Sequence, residues 1–336
     1  MGDAKPGNRN YCLDFVKGIA CICVVFMHCE FPGRLGILIQ CVSRFCVPFF
    51  FMVSGYFCYK ESGKTDYIKK IKHIGIITLF ASLLYLVLVP IWGNAEEVEL
   101  TARGVFGILI KWIVFNKPYF IAGQLWFLFA LLYDYILFAI VDKFKLHKIA
   151  FIFIPIGIIL YISLAQGAHL IGFSVPNYIY RNFLIEGFPL FSLGYFIHKH
   201  QNRIHISNLV LILCIGISTL LCPVERLTMG RDFGVNIVSF IQVISLFVFC
   251  VKKPDMGKNK WIYPVTWFGC FCSMYVYIVH PAVWHLLEKL YSILKIDNNL
   301  IALFALPLLC VTITIIISLL VVKLTSFLKN VKTKKA

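Results

Sequence analysis

Charged side chains are scarce in this sequence. Only 14% of its 336 residues are Asp, Glu, Lys or Arg, while 60% are hydrophobic. An ordinary soluble domain carries about 25% charge, so a water-soluble globular fold is excluded. A small-x-small cleavage pattern is missing after the first apolar run, and a second run follows at once, which favours a retained first helix over a signal peptide. The 13 cysteines form no Cys-x-x-Cys, only the pairs Cys21/Cys23 and Cys270/Cys272. Most sit in apolar runs, where Cys acts as a small hydrophobe. The nine histidines are scattered, with no His-x-x-x-His and carboxylate set, so no metal site is expected. Internal repeats, low-complexity linkers and a soluble domain are also lacking. Residues 1–336 therefore read as one membrane domain with a basic tail from about 323.

What is present is a succession of apolar runs long enough to cross a bilayer. About ten are expected, near 13–31, 36–58, 72–92, 122–141, 148–165, 182–198, 206–223, 233–251, 267–287 and 299–322. The fold class is thus all-α, a polytopic bundle. With the amino terminus placed in the cytoplasm, 21 of the 32 Lys and Arg residues fall on inner segments and 9 on outer ones. The positive-inside rule then sets both termini in the cytoplasm. The same rule, with anionic lipid heads as partners, accounts for the net charge of +16 without nucleic acid. The longest outer connection, about 93–121, begins with Glu96, Glu97 and Glu99 and continues as RGVFGILIKWIVFNKPYF. Trp112 and Tyr119 suit an interface, so it reads as an amphipathic or re-entrant segment, either a surface-resting helix or a lid.

The stretch Tyr11–Tyr59 holds polar residues that a plain lipid anchor would avoid. It reads YCLDFVKGIACICVVFMHCEFPG, then SRFCVPFFFMVSGYFCY after a break. Arg, Lys or Asp at a helix centre costs about 2.5–3.5 kcal/mol on insertion scales, so such residues face a protein interior or a wet cavity. Lys17 and His28, 11 residues apart, share one helix face at about 16 Å along the axis. Asp14, one turn below Lys17, is placed to pair with it. A long ligand entering from the cytoplasm would meet Lys17 with an anionic group and bring its reactive end toward His28. The plainer alternatives are a headgroup-level Asp14–Lys17 pair with Lys17 snorkelling, and a packed His28 bonded to a carbonyl.

Lys17, ten residues, then His28, followed by Arg44 and VPFFFMVSGYF (Val47, Pro48, Phe49, Phe50, Phe51, Ser54, Gly55, Tyr56), resembles the acyltransferase 3 family of integral membrane acyltransferases. Further pieces follow in the family's order. QLWFLFALL (Gln124–Leu132, with Trp126) is similar to its LWFL stretch. YRNFLIEGFPLFSLGYFI brings Arg181, Glu186 and Gly194, and SMYVYIVHP brings Tyr277, His280 and Pro281. The resemblance covers nearly the whole chain, and ten spans is the family's usual domain. It implies a bacterial-type cytoplasmic-membrane enzyme that takes acetyl, or another short acyl group, from cytoplasmic acyl-CoA. The acceptor it implies is a hydroxyl, often of a cell-surface glycan. Lys17 departs from the Arg of many members, keeping a point charge but losing the bidentate fork.

Acyl transfer to an alcohol needs a base, oxyanion donors and a held thioester. His28 is the expected base or acyl carrier, Arg44 the group stabilising the thioester oxygen or a CoA phosphate, and His280 a second base. Lys17 with Lys69, Lys70 and Lys72 would attract the 3′,5′-ADP end of the donor. Arg181 and Glu186, with Trp126, would organise the acceptor side or simply pair with each other. Tyr56 and Tyr277 are candidate relay hydroxyls, and a helix-packing role is the alternative for His280. Two other functions share these features. A transporter or flippase would show an internal repeat with matching broken helices, which is lacking; a non-catalytic sensor would not need His28.

Overall fold

The computed structural model describes residues 9–61, 65–92, 102–118 and 121–333. Among these residues regular structure is entirely helical. In chain order the helices are α1 (Tyr11–His28), α2 (Gly33–Ser43), α3 (Cys46–Tyr56), α4 (Tyr67–Trp92) and α5 (Ala102–Phe115). Next come α6 (Trp126–Lys143), α7 (His147–Ile162), α8 (Ala168–Leu170), α9 (Asn177–Tyr180) and α10 (Phe188–Lys199). The last are α11 (Asn208–Met229), α12 (Ile237–Lys252), α13 (Tyr263–Phe271), α14 (Ser273–Ile293) and α15 (Leu300–Thr333). Two π-helical turns, Ser163–Gly167 and Phe183–Gly187, lie before α8 and α10.

By length and composition, seven helical stretches suffice to cross a membrane, or eight if the pair α13–α14, bent by 77°, is one span. All-helical and multi-pass are therefore features of the structure. The other two expected runs fall on shorter pieces. Residues 182–198 are divided between the π turn and the 12-residue α10, and 233–251 gives the 16-residue α12. Sixteen residues rise about 24 Å, less than a hydrocarbon core of about 30 Å. Of the segment at 93–121, α5 is described, with Trp112 edge-on to Phe129 at 5.8 Å. Glu96, Glu97, Glu99 and Tyr119 lie outside the described residues.

The chain divides into two compact units, one formed by residues up to Cys46 together with those from Phe249 onward, the other by Val47–Val248. In the first, Asn10 caps α1: its side chain accepts from Leu13 N at 2.9 Å and donates to Cys250 O at 2.9 Å. Asp14 follows in the first turn, where the helix dipole favours a carboxylate. α1 lies against α13 at backbone contact, because both helices place glycine at the crossing. A Cβ on Gly18 would fall on Val265 O, and one on Gly269 on Asp14 O and Gly18 N. Without a hydrophobic drive between helices in lipid, such close approach supplies the packing. α14 then packs on α1 and α15.

In the second unit α3 and α10 meet through reciprocal glycines. A Cβ on Gly55 would strike Phe191 O, and one on Gly194 would strike Met52 O. That is the structural use of the Ser-Gly-Tyr turn. Tyr161 of α7 donates its hydroxyl to Phe233 O at 2.8 Å and accepts from Val235 N at 3.0 Å, fixing the approach to α12. Glu225, near the end of α11, caps α12 from outside. Its carboxylate accepts from Ile237 N and Val238 N at 3.0 Å each, and from Gln166 Nε2 at 2.6 Å.

Candidate active site

In the first unit, unbroken helix from Tyr11 to His28 keeps Lys17 and His28 on the one face that their spacing requires. Asp14 is buried and carries two cations: Lys17 Nζ lies 2.7 Å from Oδ1 and Arg9 Nε 2.8 Å from Oδ2. The expected Asp14–Lys17 pair forms. Arg9 joins it, with its guanidinium 4.8 Å from the Tyr11 ring. Two cations on one carboxylate leave the Arg9 end of α1 with a surplus positive charge, suited to an anionic group.

At the other end of α1 the His28 ring lies 5.2 Å from the His280 ring, tilted by 33°, and 6.4 Å from Trp284. The fold thus joins two residues 252 positions apart in the chain, both candidates from sequence. His280 is fully buried, and its Nδ1 donates to Val276 O at 3.0 Å. Cys310 Sγ of α15 stands 3.9 Å from His280 O, and the Tyr277 ring 6.2 Å from the imidazole. Arg44, between α2 and α3, sends Nη1 to within 3.9 Å of Met27 Sδ, next to His28 in the chain. Arg9, Trp284 and Cys310 were not singled out by sequence; only a charge beside Asp14 and an aromatic one turn beyond His280 hint at the first two.

The second unit gathers Trp126, Arg181 and Glu186. The Arg181 guanidinium lies 5.1 Å above the Trp126 ring, and its Nε is 3.7 Å from Glu186 Oε2. Glu186 is 1% exposed. Its position comes from the π turn Phe183–Gly187. Pro189 cannot donate into the preceding turn, and the chain widens there. Two asparagines hold the turn open. Asn182 accepts from Leu184 N and Ile185 N at 2.9 and 3.0 Å. Asn116, in the left-handed region at φ 45° just past α5, is fully buried. It donates to Trp126 O at 3.0 Å and accepts from Phe183 N at 2.8 Å. Asn116 therefore ties the segment that bears Trp126 to the one that bears Arg181 and Glu186.

Asp134 is a further residue beside this cluster that was not among the sequence candidates. It is 0% exposed on α6, its Oδ2 lies where a Cβ on Gly187 would fall, and neither carboxyl oxygen has a hydrogen-bond partner among the described residues. The available signal was a carboxyl inside the apolar run WFLFALLYDYILF.

Tyr56 stands with other groups. Its ring stacks on His198 at 4.0 Å and 11°, and its hydroxyl donates to Gln201 Oε1 at 3.2 Å. Lys69, Lys70 and Lys72 occupy the first turns of α4. Lys69 and Lys72 are exposed, and Lys70 lies 5.5 Å from the Tyr135 ring. Among the described residues no group of three His, Cys, Asp or Glu side chains is placed to hold a metal ion.

An all-helical chain with several membrane-crossing helices, a histidine pair at one end of α1 and paired cations at the other defines a class: a multi-pass membrane protein with buried polar chemistry. The comparison with protein families gives the finer assignment. A family model described as an acyltransferase domain matches residues 10–322, and the chain belongs to that family, acyltransferase 3. No curated protein and no solved structure gave a match.

Proposed function

We propose that this membrane acyltransferase moves an acetyl group from cytoplasmic acetyl-CoA, or another short acyl group from its CoA thioester, to a hydroxyl of a cell-surface glycan or its lipid-linked precursor. The observation that carries the reading is the single helix that bears His28 beside His280 at one end and Lys17 with Arg9 at the other. A CoA thioester has the same polarity, an anionic nucleotide separated by a long arm from the reacting carbonyl. In this reading Lys17 meets a phosphate, and Lys69, Lys70 and Lys72 raise the local concentration of the donor. Arg44 stabilises negative charge on the thioester oxygen. His28 performs the acyl or proton transfer, with His280 as the second imidazole and Tyr277 beside it. Trp126, Arg181 and Glu186 receive the acceptor, since aromatic faces and carboxylates suit sugar rings and their hydroxyls. Ten crossings with both termini in the cytoplasm, in a bacterial-type inner membrane, complete the proposal.

The test is release of CoA from acetyl-CoA by the purified chain in nanodiscs, with a mixed cell-envelope glycan extract as acceptor and His28→Ala beside wild type. Acceptor-dependent release that disappears in the variant is expected. Absence of release, and of saturable CoA binding, from well-folded protein would overturn the reading.

A further inference from the structure

His280 is oriented by its own helix. Pro281 has no N–H, so the Tyr277 carbonyl four residues back loses the partner that any other residue would offer. The His280 imidazole folds over that turn, with Nδ1 3.0 Å from Val276 O and the Tyr277 carbonyl also in reach. A carbonyl only accepts, so Nδ1 carries a hydrogen, and in the neutral ring Nε2 carries the lone pair. That Nε2 is buried and has no hydrogen-bond partner among the described residues. A buried acceptor left unpaired opposes folding; a site that receives a hydroxyl would satisfy it. The His28 ring, at 5.2 Å, is close enough for one small group to touch both imidazoles.

We propose that the two imidazoles divide the reaction: His28 carries the acyl group, His280 deprotonates the acceptor hydroxyl through Nε2, and Pro281 is the positioning residue that fixes His280 in the required tautomer. This rests on the acyltransferase reading above. In the first half a His28 ring nitrogen bonds to the thioester carbonyl carbon, and the carbon–sulfur bond breaks. The hydrogen from the other ring nitrogen passes to the CoA thiolate, leaving CoA thiol and a neutral acyl-imidazole. In the second half Nε2 of His280 takes the hydroxyl proton while the acceptor oxygen bonds to the carbonyl carbon. The carbon–nitrogen bond breaks, and the proton passes from His280 to the departing His28 nitrogen. Both rings end neutral, His28 with its hydrogen on the nitrogen that carried the acyl group, so tautomer exchange precedes the next turnover; the net products are ester and CoA thiol.

The experiment uses the full chain in nanodiscs and acetyl-CoA labelled in the acetyl group. Protein-bound label is counted, and its discharge is then timed after adding the mixed envelope glycan extract. Wild type takes up label and His28→Ala takes none. His280→Gln labels to within about twofold of wild type yet discharges at least about 100-fold more slowly, the scale of a lost general base. Pro281→Ala returns an N–H to the Tyr277 carbonyl, and discharge slows by about tenfold with labelling intact. A merely structural part for either residue would lower both halves together. Discharge from His280→Gln at the wild-type rate, loss of its labelling, or turnover by wild type without any labelled protein each overturns the division of labour while leaving an acyltransferase. Wild type that neither labels nor releases CoA overturns the acyltransferase reading, and the proposal with it.

Discussion

The Arg181 guanidinium lies 5.1 Å above the Trp126 ring while its Nε faces Glu186 Oε2 at 3.7 Å. The pair is unequally buried, with side-chain exposures of 24% for Arg181 and 0% for Glu186. Removing the cation alone therefore strands a carboxylate in a dry interior. Arg181→Met is expected to lose about 3–5 kcal/mol of stability, most of it regained in Arg181→Met with Glu186→Gln. Thermal unfolding in nanodiscs reads both variants. A double variant no more stable than Arg181→Met would show that the ion pair does not set the cost.

Asp134 poses the opposite case. A buried carboxyl with no hydrogen-bond partner among the described residues opposes folding, so Asp134→Leu, which removes the polar atoms at similar volume, is expected to raise the midpoint of unfolding by a few degrees. If the carboxyl serves the adjoining Arg181–Glu186 cluster, acyl transfer falls in the same variant by about tenfold or more. Stability and transfer are measured on one preparation. Opposite movements mark a residue kept for function, and a fall in both marks a structural one.

Lys17→Met is expected to raise the KM for acetyl-CoA about tenfold, as loss of one charge-assisted phosphate contact would. Lys17→Arg should restore most of it, because the charge returns. The control is an acetyl-pantetheine thioester lacking the nucleotide, for which wild type and Lys17→Met should have similar KM values. An equal rise with both donors would place Lys17 with Asp14 in structure alone.

The reciprocal glycines give a prediction on folding. Gly55→Ala and Gly194→Ala each drive a methyl group into a carbonyl of the facing helix, and overpacking of this kind costs about 1–3 kcal/mol. Gly216→Ala, where a Cβ meets nothing within 4 Å, should gain from helix propensity by up to about 1 kcal/mol. Detergent-resistance melts of the three variants give the order. A Gly55→Ala protein as stable as wild type would mean that α3 and α10 are not locked at that point.

Much of the candidate site was legible because it lies on single elements. Lys17 and His28 share a face of α1 by helical arithmetic, and Asp14 pairs with Lys17 through the same geometry. Charges within apolar runs were a second readable signal, since lipid penalises them unless they have a use. That signal marks Arg44, while Arg181 and Glu186 stand out through the family motif that contains them; Asp134 carries the same signal inside the apolar run of α6. Asn116 could not have been found in this way. Its importance comes from a left-handed backbone after α5 and from two hydrogen bonds to segments distant in sequence.

The sequence by itself determined that this is an all-helical, multi-pass membrane protein of the acyltransferase 3 family, because lipid admits few backbone solutions and the ordered motifs span nearly the whole chain. Only the tertiary structure decided that His28 meets His280, that Trp126, Arg181 and Glu186 form one cluster, and that Tyr56 stacks on His198. It also decided that length supports seven or eight crossings, since π turns and short helices interrupt runs that look continuous as text. The physical reason is the same throughout. Hydropathy and spacing act along one helix, whereas a site assembled from several helices depends on how glycines, prolines and caps set their approach.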